Sequence, residues 1–219
     1  MEKTILTKNQ TIVLECLSKE KILGENFYLT GGTALAEFYL RHRLSEDLDF
    51  FSEKEFAPEA IYVLLKKIQK KIGLKKIDFQ QSFNRNLFFL SIGKDIIKTE
   101  FTYFPFPRIT QHVTKKGLQI DSLLDIAVNK VFTIYQKPRS RDFIDLYFIF
   151  QKEKWSFEDL IKKTKIKFDW HVDPIQMGSR LTKATELKDF PKMIKKLDNS
   201  IWQQFFLKKA RKLSPQIFE

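Results

Sequence analysis

The chain has little of what several protein classes require. One cysteine, Cys16, in 219 residues excludes an intrachain disulfide and a cysteine metal cluster. The three histidines, His42, His112 and His171, are too scattered to read as a zinc site. No grouping reads as a Ser/His/Asp triad. No run approaches the roughly 20 apolar residues that span a bilayer, and the start, Met-Glu-Lys-Thr, lacks the apolar stretch of a signal peptide. The expectation is a cytoplasmic protein in a reducing compartment, without membrane contact. Glycine and proline number seven each and fall mostly between elements, with no repeat, low-complexity tract or long linker.

What is present supports a real core. Hydrophobic residues make up 43% and 22 Phe are spread along the chain, so disorder is excluded and one large or two small domains are expected. The net charge is +12 and unevenly placed: +3 over residues 1–110 and +9 over residues 111–219. A basic half suggests a polyanionic partner, nucleic acid first. Lys, Ile and Phe enrichment also follows from an AT-rich genome, so charge alone leaves the partner open.

The first half alternates helix and strand. Residues 8–19 read as an amphipathic helix, 27–29 as a strand ending at Gly31-Gly32, 33–40 as a helix and 48–51 as a strand. Pro58 opens a helix to about Lys71. Three β-like runs follow at 75–82, 86–93 and 96–104, the last two joined by a turn at Gly93-Lys94-Asp95. Beyond Pro105, Pro107 and Gly117 the pattern is helical, over about 121–136, 140–152, 156–167, 173–186, 189–197 and 199–212. Asp121, Ser140 and Ser156 are candidate N-caps. Two domains are expected: residues 1–110, a mixed sheet with flanking helices, and residues 111–219, helical.

The chemistry concentrates in Thr30-Gly31-Gly32-Thr33-Ala34-Leu35 and Leu44-Ser45-Glu46-Asp47-Leu48-Asp49-Phe50-Phe51. On a strand, Asp47 and Asp49 project to one face and Leu48 and Phe50 to the other. Two adjacent carboxylates repel unless neutralised, and hard oxygen ligands suit Mg²⁺. Alone, Asp-x-Asp is usually a pair of solvated surface acids. Gly31-Gly32 at a strand-to-helix junction lets phosphate approach backbone N–H groups, with Thr30 and Thr33 adding hydroxyls; alone it is a tight turn. Together they form the equipment of nucleotidyl transfer, a phosphate cradle on one strand end and a metal-binding pair on the next. Glu100 is the candidate third carboxylate, a lone acid in a strand on the face of Lys98 and Thr102; an exposed edge residue is the bland alternative.

In the second half, Lys130 has Ile126, Ala127 and Ile134 as helical neighbours, so it either snorkels or holds a buried anion such as a triphosphate. The segment Arg139-Ser140-Arg141-Asp142-Phe143-Ile144-Asp145-Leu146-Tyr147 is apolar nearly all round, and Asp142 and Asp145 need partners. Arg141, Lys130 and a triphosphate–metal complex are the alternatives. Phe88, Phe89, Tyr103 and Phe104 read as core rather than as base-stacking platforms.

Gly31-Gly32-Thr33-Ala34-Leu35, then Arg43-Leu44-Ser45-Glu46-Asp47-Leu48-Asp49-Phe50, then Lys130 and Arg141-Asp142-Phe143-Ile144-Asp145-Leu146-Tyr147, resemble the abortive-infection AbiEii/AbiGii-type nucleotidyltransferases over about residues 27–150. The resemblance implies an α+β fold, with a polymerase-β-like mixed sheet followed by a helical-bundle domain. It implies Mg²⁺- (or Mn²⁺-) dependent transfer of a nucleoside monophosphate from an NTP to an acceptor hydroxyl. It suggests an RNA (tRNA) 3′ end as acceptor and a toxin with a cognate antitoxin. Carried over by residue, Gly31 and Gly32 hold phosphate, Asp47 and Asp49 bind metal, and Lys130 and Asp142 are the second block's functional pair. Gly31-Gly32 stands where nucleotidyltransferases often have Gly-Ser, and Thr33 is the candidate replacement for that serine. Alternative readings are a protein or small-molecule acceptor, such as an antibiotic, and an inactive nucleic-acid-binding module.

Overall fold

The computed structural model describes residues 4–213 of the chain. It divides into two compact units. The first takes the chain up to Tyr39, Ser45–Pro107 and Gln111–Ser122; the second takes Leu40–Leu44, Arg108–Thr110 and the chain from Leu123 on.

The first unit is built on a mixed seven-stranded sheet in the order β3-β4-β5-β2-β1-β7-β6. Its elements are α1 (Lys8–Leu17), α2 (Lys21–Asn26), β1 (Tyr28–Thr30), α3 (Gly31–Leu35), β2 (Leu48–Ser52), α4 (Pro58–Ile72), β3 (Leu74–Ser82), β4 (Arg85–Ile92), β5 (Asp95–Tyr103), β6 (Val113–Lys115) and β7 (Leu118–Ile120). A π-helical turn, Ala36–Leu40, follows α3 directly. Strand β2 runs antiparallel to β1 and parallel to β5.

Local chemistry explains these elements. Helix α1 starts on a capping box between Thr7 and Gln10. Helix α4 has Pro58 in its first turn, buries Ile61, Leu64, Leu65, Ile68 and Ile72 at helical spacing, and stops at Gly73, whose φ of 64° suits the left-handed cap. Strand β2 alternates buried and half-buried residues. Its inward Phe50 stacks on Phe101 of β5 at 5.0 Å, and Phe27 and Phe88 meet Phe101 edge-on at 5.3 and 5.9 Å. Phe88 is core as expected; Phe89, Tyr103 and Phe104 are half-buried.

The second unit is helical: α5 (Leu123–Gln136), α6 (Ser140–Lys152), α7 (Phe157–Phe168), α8 (Pro174–Thr182) with a 3₁₀ turn Lys183–Thr185, and α9 (Asn199–Leu213). Its core includes Phe143, which packs on Trp202 and Phe206 of α9. Among the described residues no helix is long and apolar enough to cross a membrane.

Several expectations change. The first unit extends to Ser122 rather than ending at 110, because β7 pairs in parallel with β1 and carries β6 with it, while residues 40–44 and 108–110 belong to the second. Those strands have three residues each, too few for a clear alternating pattern. The six-residue α2 has one buried residue, Leu23, and so no helical stripe to read. Residues 189–197 are not a helix. Met193 bridges Arg43, the Leu44 N–H donates to Lys192, and the N–H groups of Ile194 and Lys195 donate to His42. Backbone partners from residues 42–44 replace the helical ones.

Of the expected caps, Ser156 accepts from the Asp159 N–H. Asp121 lies two residues before α5 and accepts from the Thr30 hydroxyl instead, at 2.6 Å. Ser140 is the first residue of α6 rather than its cap, and its N–H donates to Asp189.

Candidate active site

The sheet register assembles the acidic face. Asp49 lies opposite Thr30 of β1 on one side and Glu100 of β5 on the other. Cross-strand partners share a face, so Thr30, Asp49 and Glu100 line one side while Leu48, Phe50 and Phe101 form the buried side. Asp47 immediately precedes β2, two residues before Asp49.

Gly31 fixes how closely the next element approaches. Its φ is +69°, and a Cβ placed there would lie 2.5 Å from Asp49 Oδ2. The Asp49 carboxylate therefore rests against Gly31, and a Cβ there would force it to shift. Gly31 and Gly32 are half-exposed at the start of α3. Thr33 is buried and donates its hydroxyl to the backbone carbonyl of Asp47, and the Thr30 hydroxyl is taken by Asp121. The Thr33 hydroxyl thus braces α3 against the start of β2, and the Thr30 hydroxyl ties β1 to the segment after β7.

Two cations oppose the acids. Arg85 grips Glu100 with two bonds of 2.7 and 2.6 Å, and Thr102 adds a third to the same carboxylate at 2.9 Å. Burial works against the Glu100 charge, but Arg85 outweighs it and holds the carboxyl below its ordinary value. Lys98 Nζ bonds Asp47 Oδ2 at 2.8 Å. Asp47 and Asp49 offer hard oxygen donors next to the glycine backbone, which suits Mg²⁺ in donor chemistry. Among the described residues no group of three or more acidic, histidine or cysteine side chains is arranged to hold a metal. Glu100, expected as a third ligand, is instead committed to Arg85.

Lys130 and Asp142 meet within the helical unit. Lys130 Nζ lies 2.6 Å from Asp142 Oδ1 and 2.7 Å from Asp145 Oδ2. Arg139 binds the other Asp142 oxygen at 2.9 Å. Asp145 takes Arg43 rather than Arg141, in a two-pronged pair of 2.6 and 2.8 Å, and adds His42 Nε2 at 2.7 Å. Burial penalises the Asp145 charge, yet Arg43 and Lys130 hold its carboxyl well below the usual range. Burial also lowers the His42 pKa, against the pull of Asp145. The buried anion of Lys130 is thus a pair of carboxylates.

Comparison with known proteins decides the class. Residues 13–215 match the family model described as the nucleotidyl transferase AbiEii toxin of a type IV toxin–antitoxin system. The chain belongs to the AbiEii nucleotidyltransferase toxin family. An uncharacterised protein of Aquifex aeolicus (strain VF5) is 34% identical over 158 residues, 70% of this chain and 73% of that one. The fold is shared with MenT4, a nucleotidyltransferase toxin of Mycobacterium tuberculosis H37Rv, at TM-score 0.63 and 17% identity over 94% of this chain and 81% of that one. It is also shared with JHP933 of Helicobacter pylori, at TM-score 0.56 and 19% identity over 96% and 94%.

For this AbiEii-family chain, sequence reasoning missed several partners of the expected residues. Arg85 was legible in principle: a turn at Gly93-Lys94 sets Leu87 opposite Glu100 and puts Arg85 on the same face. Within the helical unit, the pairing of His42 and Arg43 with Asp145 carried no local signal, because it spans 103 and 102 residues.

Proposed function

We propose that this AbiEii-family protein transfers a nucleoside monophosphate from an NTP to the 3′ hydroxyl of an RNA, with tRNA as the foremost class, in an Mg²⁺-dependent reaction. The observation that carries the reading is the close approach of Asp49 to Gly31, which sets a carboxylate of the candidate metal-binding pair directly beside the glycine turn. Asp47 and Asp49 would hold the metal. Charge neutralisation and Lewis acidity at the reacting phosphate are what Mg²⁺ supplies when bound.

The chain's own residues do the positioning. The backbone N–H groups of Gly31 and Gly32 would bind the phosphates at the strand-to-helix turn. Thr33, bonded to the Asp47 carbonyl, keeps the start of β2 in register with α3. Lys130 stays in the helical unit's ion network, bound to Asp142 and Asp145. The acceptor hydroxyl attacks the α-phosphorus and pyrophosphate departs. Orientation and electrostatics supply most of the rate in such transfers.

Charge supports an RNA acceptor. Counted by unit, the helical unit holds 23 Lys and Arg against 12 Asp and Glu, a net of +11 out of the chain's +12. Such a surface attracts a polyanion. As a member of a toxin family, the protein would be paired with an antitoxin.

The test is incubation with each labelled NTP, Mg²⁺ and total tRNA, comparing wild type with Asp47→Ala. Label on RNA from wild type alone supports the reading. No transfer, or equal transfer by both proteins, refutes it. RNA affinity should also fall steeply as salt rises from about 50 to 200 mM, because counterion release drives binding to phosphates. Transfer to protein or small molecules with no RNA binding would move the acceptor to that class.

A further inference from the structure

The geometry points to Lys98 as a built-in counter-ion that a divalent cation displaces from Asp47, while Arg85 keeps Glu100 out of the metal shell. This rests on the metal reading of Asp47 and Asp49 above and adds a division of labour among the charges on that face.

The two ion pairs differ in kind. Arg85 and Glu100 form a fork-to-fork pair, with Arg85 53% exposed but Glu100 only 7% exposed and also held by Thr102. Bidentate pairs on a buried carboxylate are strong and geometrically fixed. Lys98 and Asp47 make one contact between single atoms, with side chains 28% and 29% exposed. Half-solvated single contacts of this kind are weak, and lysine's ammonium sits on a flexible stem. A dication arriving at Asp47 and Asp49 therefore competes with the weaker pair and leaves the stronger one intact.

The register explains why a placeholder is useful. Lys98, Glu100 and Thr102 alternate along one face of β5, and Asp49 lies opposite Glu100. Without a cation, Asp47, Asp49 and Glu100 would crowd that face with like charge. Lys98 and Arg85 offset that charge through their pairs with Asp47 and Glu100. The hydrogen bond to Glu100, then the charges of Glu100, Asp49 and Asp47, raise the Arg85 pKa against the effect of burial. Glu100 then acts as a positioning residue: it anchors Arg85 beside the metal-binding pair and contributes no ligand. Lys98 sets the threshold metal concentration, since it must be exchanged.

The experiment measures Mn²⁺ binding to the full chain without nucleotide, read as loss of the free-ion EPR signal. It compares wild type with Lys98→Met, Lys98→Gln, Glu100→Gln and Asp47→Asn, each checked for folding by circular dichroism. Both Lys98 variants should bind Mn²⁺ about threefold to tenfold more tightly, because a competing and repelling cation is gone. Glu100→Gln should stay within about twofold of wild type, and Asp47→Asn should lose binding. Unchanged or weaker binding by both Lys98 variants overturns the counter-ion role. Loss of binding in Glu100→Gln makes Glu100 a ligand and overturns the division. Equal binding by wild type and Asp47→Asn removes the metal reading itself, and this inference with it.

Discussion

The Asp49 carboxylate fills the space where a side chain at Gly31 would begin, Oδ2 standing 2.5 Å from an ideal Cβ at that position. The contact joins the residue after β1 to β2 and gives Gly31 two reasons to be glycine. One is the positive φ, the other the approach of a functional oxygen.

Gly31→Ala should therefore fail twice. The left-handed backbone costs about 1 kcal/mol or more for a residue with a Cβ, and the Asp49 side chain must rotate away. A modest loss of stability in urea unfolding, together with loss of nucleotidyl transfer well beyond it, is the expected outcome. An alanine variant with full activity would show that Asp49 tolerates displacement.

Asp145 is the hub of the helical unit's ion network, fully buried and held by Arg43, His42 and Lys130. Asp145→Asn keeps the shape and removes the charge, leaving Arg43 and Lys130 short of a buried partner. Breaking a buried ion pair on one side costs about 3–5 kcal/mol. Chemical unfolding should reveal a loss of that size, whereas Lys183→Ala, which removes an exposed pair with Glu186, should change stability by less than about 1 kcal/mol. Equal effects would mean that solvent reaches the network.

His42 gives the protein a pH limb above the carboxylate range. Burial lowers its pKa in the folded state, so the unfolded chain binds the proton more readily. Stability from this group is present above its unfolded value of about 6.5 and falls as pH drops from there toward the folded pKa. The slope is at most about 1.4 kcal/mol per pH unit for one proton. Glu100 and Asp145, with folded values depressed, add their own losses only at lower pH, below the unfolded carboxylate range. Melting temperature measured between pH 7.5 and 5 should decline in wild type and stay flatter in His42→Gln. Parallel curves would assign the limb to another group.

Much of the α/β unit was legible because its signals are short-ranged. Alternation in Leu48-Asp49-Phe50 gives a strand with one acidic face, Pro58 and the apolar stripe after it give α4, and Gly93-Lys94 gives the β4–β5 hairpin. The same rules overreached at residues 189–197, where helical composition lost to backbone partners at His42, Arg43 and Leu44.

The sequence by itself determined which residue types stand at the glycine turn and the acidic strand, and the family to which they belong. Periodicity and turn chemistry act over two to four residues, a range in which composition decides the outcome. Only the tertiary structure decided that Asp49 lies against Gly31, that Thr30 and Thr33 brace the strands, that Glu100 belongs to Arg85, and that Lys130 shares Asp145 with Arg43 and His42. Charges this deeply buried must find partners wherever the chain path brings them, and for Asp145 that path is about a hundred residues long.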